Sequence, residues 1–195
     1  MIHRRFLLSA LPAVALGGAA RAGPGSHPLV TAARRQVGVT VRYDPAYVRL
    51  AYPGGDVPQD RGVCTDVVIR AYRAAFLLDL QKLVHEDMAR HFAAYPKTWG
   101  LRGPDRNIDH RRVPNLETFL TRRRAAAPLS APWEAGDLIT QRLPGNLPHI
   151  AIFTGERTAL GQAIVIHNIG GGTQVEAIPA FARNVARFHF MPNRG

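Results

Sequence analysis

The sequence predicts an α+β domain in which N-terminal helices pack on a C-terminal antiparallel sheet. Apolar residues recur at helical spacing in several segments before about residue 120. After residue 136 the pattern changes to short apolar runs separated by turn residues, which is typical of strands. Helices therefore come first and strands follow, and that order favours the α+β class.

The first 22 residues are typical of a signal peptide. A positive start precedes an apolar run from Phe6 to Leu16 and the small-x-small cleavage site Ala20-Arg21-Ala22. The run is too short for a stable membrane anchor, which needs about 20 residues, and the cleavage point has no cysteine to carry a lipid. Arg4-Arg5 resembles a twin-arginine signal, and general secretory export is the alternative.

We expect an exported protein, periplasmic or extracellular. Its predicted parts are a signal peptide (1–22), a linker (23–28) and one domain (29–195).

Four helical segments are predicted, and a stretch dense in Pro, Gly and Asp before Cys64 favours extended pieces joined by turns. The stretch 95–115 contains three prolines and is predicted to be a loop, which Trp99 and Leu101 indicate is ordered. The predicted helices cover about 29–37, 64–78, 80–94 and 116–120.

Five strands are predicted after an Ala/Pro-rich connector at 125–135. Turn signals such as Pro144-Gly145-Asn146 and Gly170-Gly171-Gly172 separate them. The predicted strands are 137–143, 149–155, 163–169, 173–178 and 187–191.

The charge is strongly positive, with 25 Lys+Arg against 14 Asp+Glu. Such an excess attracts acidic partners such as cell-wall polymers, anionic lipids or nucleic acid without choosing among them. The arginines are scattered, and no zinc, helix-turn-helix or aromatic RNA-binding signature accompanies them. We therefore expect no nucleic-acid partner.

Cys64 is the only cysteine, so it closes no internal disulfide and is either a bystander or a reactive centre. It lies at the predicted start of a helix, where unpaired backbone N–H groups and the helix dipole favour a thiolate. The position predicts a lowered thiol pKa and a nucleophile.

A nucleophilic thiol needs a general base, and histidine is the usual one. His149 opens a predicted strand and His167 ends the next one, so an antiparallel pairing would bring the two imidazoles together. One would then act on the thiol while the other orients it. The other candidates are His85, His91, His110 and His189.

These residues resemble the NlpC-type cell-wall cysteine peptidases, a papain-like superfamily. Tyr52, Gly54-Gly55 and Cys64 followed by "VVIRAYR" match one motif of that group, and "GDLIT" with "HIAIF" matches another. The resemblance implies a papain-like NlpC-type fold, with Cys64 as nucleophile, His149 as base and His167 as the third polar residue. It also implies peptidoglycan stem peptides as substrate.

A closer resemblance, across nearly the whole mature chain, is to a bacterial family of exported proteins defined as a domain of unknown function and grouped with that superfamily. The stretches "GDVPQDRGVCTDVVIRAYR", "PDRNIDHRRVPNL" and "VIHNIGGG" carry it.

The chain departs from the NlpC pattern at Val63-Cys64-Thr65-Asp66, where Asp-Cys-Ser-Gly is usual, and in a longer segment between the cysteine helix and the first strand. Asp66 would oppose thiolate formation unless an arginine such as Arg61 neutralises it. The candidate substrate-binding residues are Tyr52, Asp60, Arg61, Asp66 and Asn168.

Two features leave alternatives open. The "DRNIDHRR" stretch at 105–112 is either an ion-paired, self-capping loop or a cleft wall that binds an acidic or amide group. Asp60 and Arg61 are either loop hydrogen-bonding residues or substrate contacts. No His-Glu-x-x-His, Cys-x-x-Cys or close His-x-His is present, so neither a metal nor another cofactor is expected.

Together these features predict an exported cysteine hydrolase, an amidase or endopeptidase, with a Cys-His-His site. A thiol acyltransferase and a non-catalytic wall-binding module on the same fold are the alternatives.

Overall fold

A computed structural model describes residues 27–192 of the chain. The predicted signal peptide and residues 23–26 of the predicted linker fall outside these residues. The described chain is an α+β domain of helices and an antiparallel sheet, which confirms the predicted class.

The helices follow the predicted periodicity closely. The predicted segment 80–94 divides into a helix and a 3-10 turn at Phe92–Ala94, and a second 3-10 turn at Asp109–Arg111 precedes the last helix. The α-helices are α1 (Pro28–Arg34), α2 (Cys64–Phe76), α3 (Leu80–His91) and α4 (Val113–Arg122).

The strands form one large sheet and one small pair. Strands β1 (Arg42–Tyr43) and β2 (Arg61–Gly62) pair in parallel. The antiparallel sheet has the order β3-β8-β4-β5-β6-β7. Its strands are β3 (Ala126–Ala127), β4 (Leu138–Leu143), β5 (Leu147–Arg157), β6 (Ala163–Asn168), β7 (Thr173–Ala177) and β8 (Arg183–Phe188).

The last strand differs from the prediction of 187–191. It begins at Arg183, because Arg183 and Asn184 pair with Arg142 and Gln141 of β4 although both side chains are polar. The alternation of apolar residues predicts only the C-terminal end of this strand, where Phe188 is buried and pairs with Leu138 of β4.

Helix α2 is the centre of the core. Val67, Val68 and Tyr72 are almost completely buried and belong to the same apolar cluster as Ile150 and Ile166 of the sheet. Burial of one such side chain contributes about 1.5–3 kcal/mol. This packing fixes the first turn of α2 beside β5 and β6. No helix among residues 27–192 is long and apolar enough to cross a membrane.

Candidate active site

Cys64 is the first residue of α2 and lines a cleft of about 510 Å³ that His149 also lines. The helix begins there because the Asp66 carboxylate accepts the backbone N–H of Val63 at 2.6 Å. The Asp66 N–H in turn donates to the Val63 carbonyl at 3.0 Å. This reciprocal pair satisfies first-turn donors that a helix leaves unpaired.

A chain of short contacts leads away from the cleft across the sheet. His149 Nε2 lies 2.8 Å from His167 Nδ1. His167 Nε2 lies 2.8 Å from Glu176 Oε1. His149 and His167 are buried, and the Glu176 side chain is 41% exposed at the outer end. We call His149, His167 and Glu176 the relay.

Strand register explains why these three side chains meet. Ile152 of β5 pairs with Ile166 of β6. In this antiparallel register the next pair is Ala151 and His167. His149 lies two residues from Ala151 on the same face of β5, so His149 and His167 are diagonal neighbours. On the other side Val165 pairs with Glu176, which makes Glu176 diagonal to His167. Diagonal neighbours on one sheet face lie within reach of long side chains.

The relay fixes the positions of its protons. An ionised carboxylate only accepts hydrogen bonds, so His167 donates to Glu176 through Nε2 and keeps a lone pair on Nδ1. His149 must then donate to that lone pair through Nε2. The remaining nitrogen of a neutral His149, Nδ1, carries a lone pair that is able to take a proton.

Both imidazoles are neutral at ordinary pH. Burial, reinforced by the nearby His167, lowers the pKa of His149 to about 3. Burial also lowers the pKa of His167, while Glu176 acts in the opposite direction. His149 is therefore a base that stays unprotonated well below neutral pH.

The expectation that the Cys64 thiol has a lowered pKa is wrong: its pKa is raised. Cys64 is only 3% exposed, and this burial raises the pKa of the thiol to about 12. The Ile150 N–H acts to lower the pKa, Asp66 adds to the rise, and the helix-start N–H groups of Thr65 and Cys64 lower it. Loss of water outweighs the helix start, so the resting site holds a thiol and a neutral imidazole.

This state predicts slow alkylation of the native protein. At neutral pH, iodoacetamide should react with Cys64 at least about a hundredfold more slowly than with a free thiol of pKa about 8.5. The rate should still be rising with pH beyond about pH 9, because only the thiolate reacts. Mass spectrometry of native and urea-unfolded protein from about pH 6 to 10 measures this. Cys64→Ala is the blank, since the chain has one cysteine. A native inflection below that of the unfolded chain would contradict the prediction.

Arg61 was expected to neutralise Asp66, but Arg111 does so instead. Arg111 Nε donates to Asp66 Oδ1 at 2.9 Å and Nη2 donates to Asp66 Oδ2 at 3.0 Å, with both side chains buried. Arg111 also donates to the Ala46 and Asp44 carbonyls. Thr65 Oγ1 donates to the Arg111 carbonyl at 3.0 Å. Asp66 thus anchors the start of α2 and does not reach the cleft.

The other expected substrate contacts also lie outside the residues that line the cleft. The Tyr52 ring packs 5.2 Å from the His85 ring. Arg61 contacts Asp60 and Asp44 at 3.4 Å each, so these are loop ion pairs. Asn168 donates to the Gly62 carbonyl at 3.0 Å and to the Arg42 carbonyl at 3.3 Å.

Sequence reasoning missed three residues at the site. Tyr43 lines the cleft in place of Tyr52, Arg111 pairs with Asp66, and Glu176 ends the relay. Sequence signals existed for two of them: Arg111 lies in the 105–112 stretch considered as a cleft wall, and Glu176 is a carboxylate in the strand that follows His167 through a Gly-rich turn. Among residues 27–192 no three His, Cys, Asp or Glu side chains are grouped to hold a metal ion.

Fold and site together define an α+β domain in which a buried cysteine and one member of a hydrogen-bonded histidine pair line the same cleft. The chain belongs to the family described as "Domain of unknown function (DUF1287)", which matches residues 30–190. A relative from Escherichia coli (strain K12), "Uncharacterized protein YijF", is 53% identical over 161 residues. That alignment covers 81% of this chain and 78% of the relative.

Proposed function

We propose that the protein is an exported cysteine hydrolase of the NlpC-type, papain-like superfamily that cleaves amide bonds. The observation that carries the proposal is the directed relay, in which Glu176 and His167 leave a lone pair on Nδ1 of the cleft histidine. The same cleft contains the only thiol. A nucleophile, a base and an orienting group form the pattern of covalent acyl transfer.

In this mechanism the thiol is deprotonated during attack and not beforehand. As Cys64 Sγ adds to the substrate carbonyl, His149 Nδ1 takes the thiol proton. His167 and Glu176 hold the ring in its reactive tautomer and stabilise the imidazolium. The imidazolium returns the proton to the leaving amine, and a thioester on Cys64 remains. His149 then removes a proton from water as the water oxygen attacks the thioester carbonyl. The C–S bond breaks, and the imidazolium returns its proton to the departing Cys64 sulfur, which restores the thiol and the neutral base.

The tetrahedral intermediate needs hydrogen-bond donors for its oxyanion. The first-turn N–H groups at Cys64 and Thr65 are donors of this kind, because a helix start leaves them without intrahelical partners. Tyr43 supplies a second donor from the cleft wall. Burial, together with Cys64 and Asp66, raises the pKa of Tyr43 to about 12, so its hydroxyl keeps the proton.

Peptidoglycan stem peptide is the proposed substrate. Support comes from the motif resemblance, from the signal peptide expected at residues 1–22 and from the excess of basic over acidic residues that remains after residue 22, which favours an acidic polymer. Attack on the thioester by an amine in place of water would give a transacylase by the same chemistry.

One observation favours a second candidate, a non-catalytic wall-binding module. The Cys64 side chain is almost fully buried and its pKa is raised, as in a structural cysteine. In that case the relay would only stabilise the sheet.

Digestion of purified muropeptides separates these candidates. The enzyme should release new amino termini, detected by mass spectrometry, and Cys64→Ala should release none while keeping the melting temperature of the parent. Acid quenching should trap a peptide thioester on Cys64. If the parent protein and Cys64→Ala bind sacculi equally and neither releases product, the wall-binding hypothesis is correct and the hydrolase hypothesis is wrong.

A further inference from the structure

The cleft has an electropositive character that the catalytic residues do not explain. Helix α2 begins in it at Cys64, and α4 begins in it at Val113. The positive ends of two helix dipoles therefore meet at one cavity, and such ends favour anions. None of the described residues that line the cleft is an aspartate or a glutamate.

Two adjacent arginines line this cleft, and they differ in how their donors are used. The Arg111 guanidinium uses most of its donors in four hydrogen bonds, two to Asp66 and one each to the Ala46 and Asp44 carbonyls. The Arg112 guanidinium donates no hydrogen bond to any of residues 27–192, and its nearest acid is Asp109, with Nη1 3.8 Å from Oδ1. Arg111 is thus a structural cation, and Arg112 has donors to spare.

Arg112 is held in place although it is not hydrogen-bonded. Its guanidinium carbon lies 4.1 Å from the centre of the Trp99 ring, and Trp99 lines the same cleft. The Arg112 side chain is only 17% exposed. Stacking on an aromatic face orients the planar fork of an arginine, which matches a carboxylate in bidentate geometry.

Most of the remaining cleft wall is apolar, including Pro45, Val63, Ile108 and Leu147. The volume of about 510 Å³ is that of a small-molecule site. A short peptide bound at Cys64 would therefore also reach Arg112.

We propose that Arg112, stacked on Trp99, binds a carboxylate of the substrate, which makes the substrate class an amide or short peptide with a carboxylate near the scissile bond. This inference rests on the proposed function for its scissile bond, while the carboxylate site itself is independent of catalysis. The "DRNIDHRR" stretch has features of both alternatives: Arg112 Nη1 lies 3.8 Å from Asp109 Oδ1 within the stretch, and Arg111 and Arg112 line the cleft.

The test measures binding without turnover, in full-length protein carrying Cys64→Ala. Two synthetic probes are compared by calorimetry: acetyl-alanyl-γ-glutamyl-alanine amide with a free α-carboxylate, and the same peptide with an α-carboxamide. The carboxylate probe should bind about tenfold more tightly or better, as expected for a charge-assisted hydrogen bond. Added salt should reduce that preference.

Three variants locate the preference. Arg112→Gln should abolish it, and Arg112→Lys should keep part of it, because a lysine retains the charge without the planar fork. Arg123→Gln is the matched control, since Arg123 also stacks on an aromatic ring, Phe119 at 5.1 Å, but does not line the cleft. It should leave the preference unchanged. Thermal melts verify that each variant is folded.

Equal affinity for the two probes would overturn the proposal, as would a preference that survives Arg112→Gln. Failure of either probe to bind at millimolar concentration would also overturn it. If the carboxylate probe is preferred but the parent protein cleaves no muropeptide, the hydrolase proposal is rejected and the carboxylate site is retained. If the parent protein cleaves muropeptides but binds both probes equally, the carboxylate site is rejected and the hydrolase proposal is retained.

Discussion

His149→Ala is expected to lower kcat for amide hydrolysis by about 10²- to 10⁴-fold, the usual contribution of a general base. The loss should be large because the resting thiol is protonated and has no other route to the attacking form. Initial rates on muropeptides at saturating substrate measure the effect. KM should change little, since the imidazole acts in the transition state.

Three variants and the pH profile check this interpretation. Glu176→Gln and His167→Ala should each cost less than His149→Ala, because they orient the base without contacting substrate. His91→Ala, an exposed histidine at the end of α3, should leave the rate unchanged.

The pH profile follows from the same base. Since burial and the nearby His167 lower the pKa of His149 to about 3, the base remains neutral at pH 5 and kcat/KM should not fall between about pH 7 and 5. A midpoint near that of ordinary histidine, or an unimpaired His149→Ala, would contradict the mechanism.

Arg111→Met is expected to reduce the free energy of unfolding by about 3–5 kcal/mol, the cost of leaving a buried charge without its partner. The change removes both hydrogen bonds to Asp66 and those to the Ala46 and Asp44 carbonyls. It should therefore loosen the start of α2 and the segment that follows Tyr43. Urea unfolding followed by circular dichroism measures the loss.

A second substitution and a surface pair provide the controls. Asp66→Asn combined with Arg111→Met should be less destabilised than Arg111→Met alone, because no unpaired charge remains. Arg42→Met breaks the exposed pair with Asp60 and should cost far less than Arg111→Met, because water screens an exposed ion pair. Equal losses in Arg42→Met and Arg111→Met would show that burial of the pair is unimportant.

The fold class, four helices and most strand positions could be predicted because apolar periodicity is a local signal. The meeting of His149 with His167 was predictable for a related reason: consecutive antiparallel strands bring the start of one beside the end of the next. Strand β8 was predicted too late because its polar first half is held by pairing with β4.

The pKa of Cys64 and the partner of Asp66 were not predictable, because both depend on chain segments that meet only in three dimensions. Arg111 lies 45 residues from Asp66, whereas Arg61 is close to Asp66 along the chain, so sequence proximity favoured the wrong arginine. The cleft that Cys64 lines is likewise formed by segments far apart in sequence, including Tyr43 of β1 and Trp99. The motif match favoured Tyr52, yet Tyr43 is the tyrosine that lines the cleft with Cys64.

The relay lies entirely on hydrogen-bonded strands, while the sulfur is carried by α2 in the other layer. Sliding of the helix against the sheet would therefore leave the proton path intact and change only the approach of the sulfur to the first imidazole. The Asn168 amide donates to the Gly62 and Arg42 carbonyls and so ties the end of β6 to the short β1–β2 pair, two residues before Cys64. Under the proposed mechanism, a substitution that shifts α2 should therefore slow attack by the thiol while the hydrogen bonds of the two imidazoles stay unchanged.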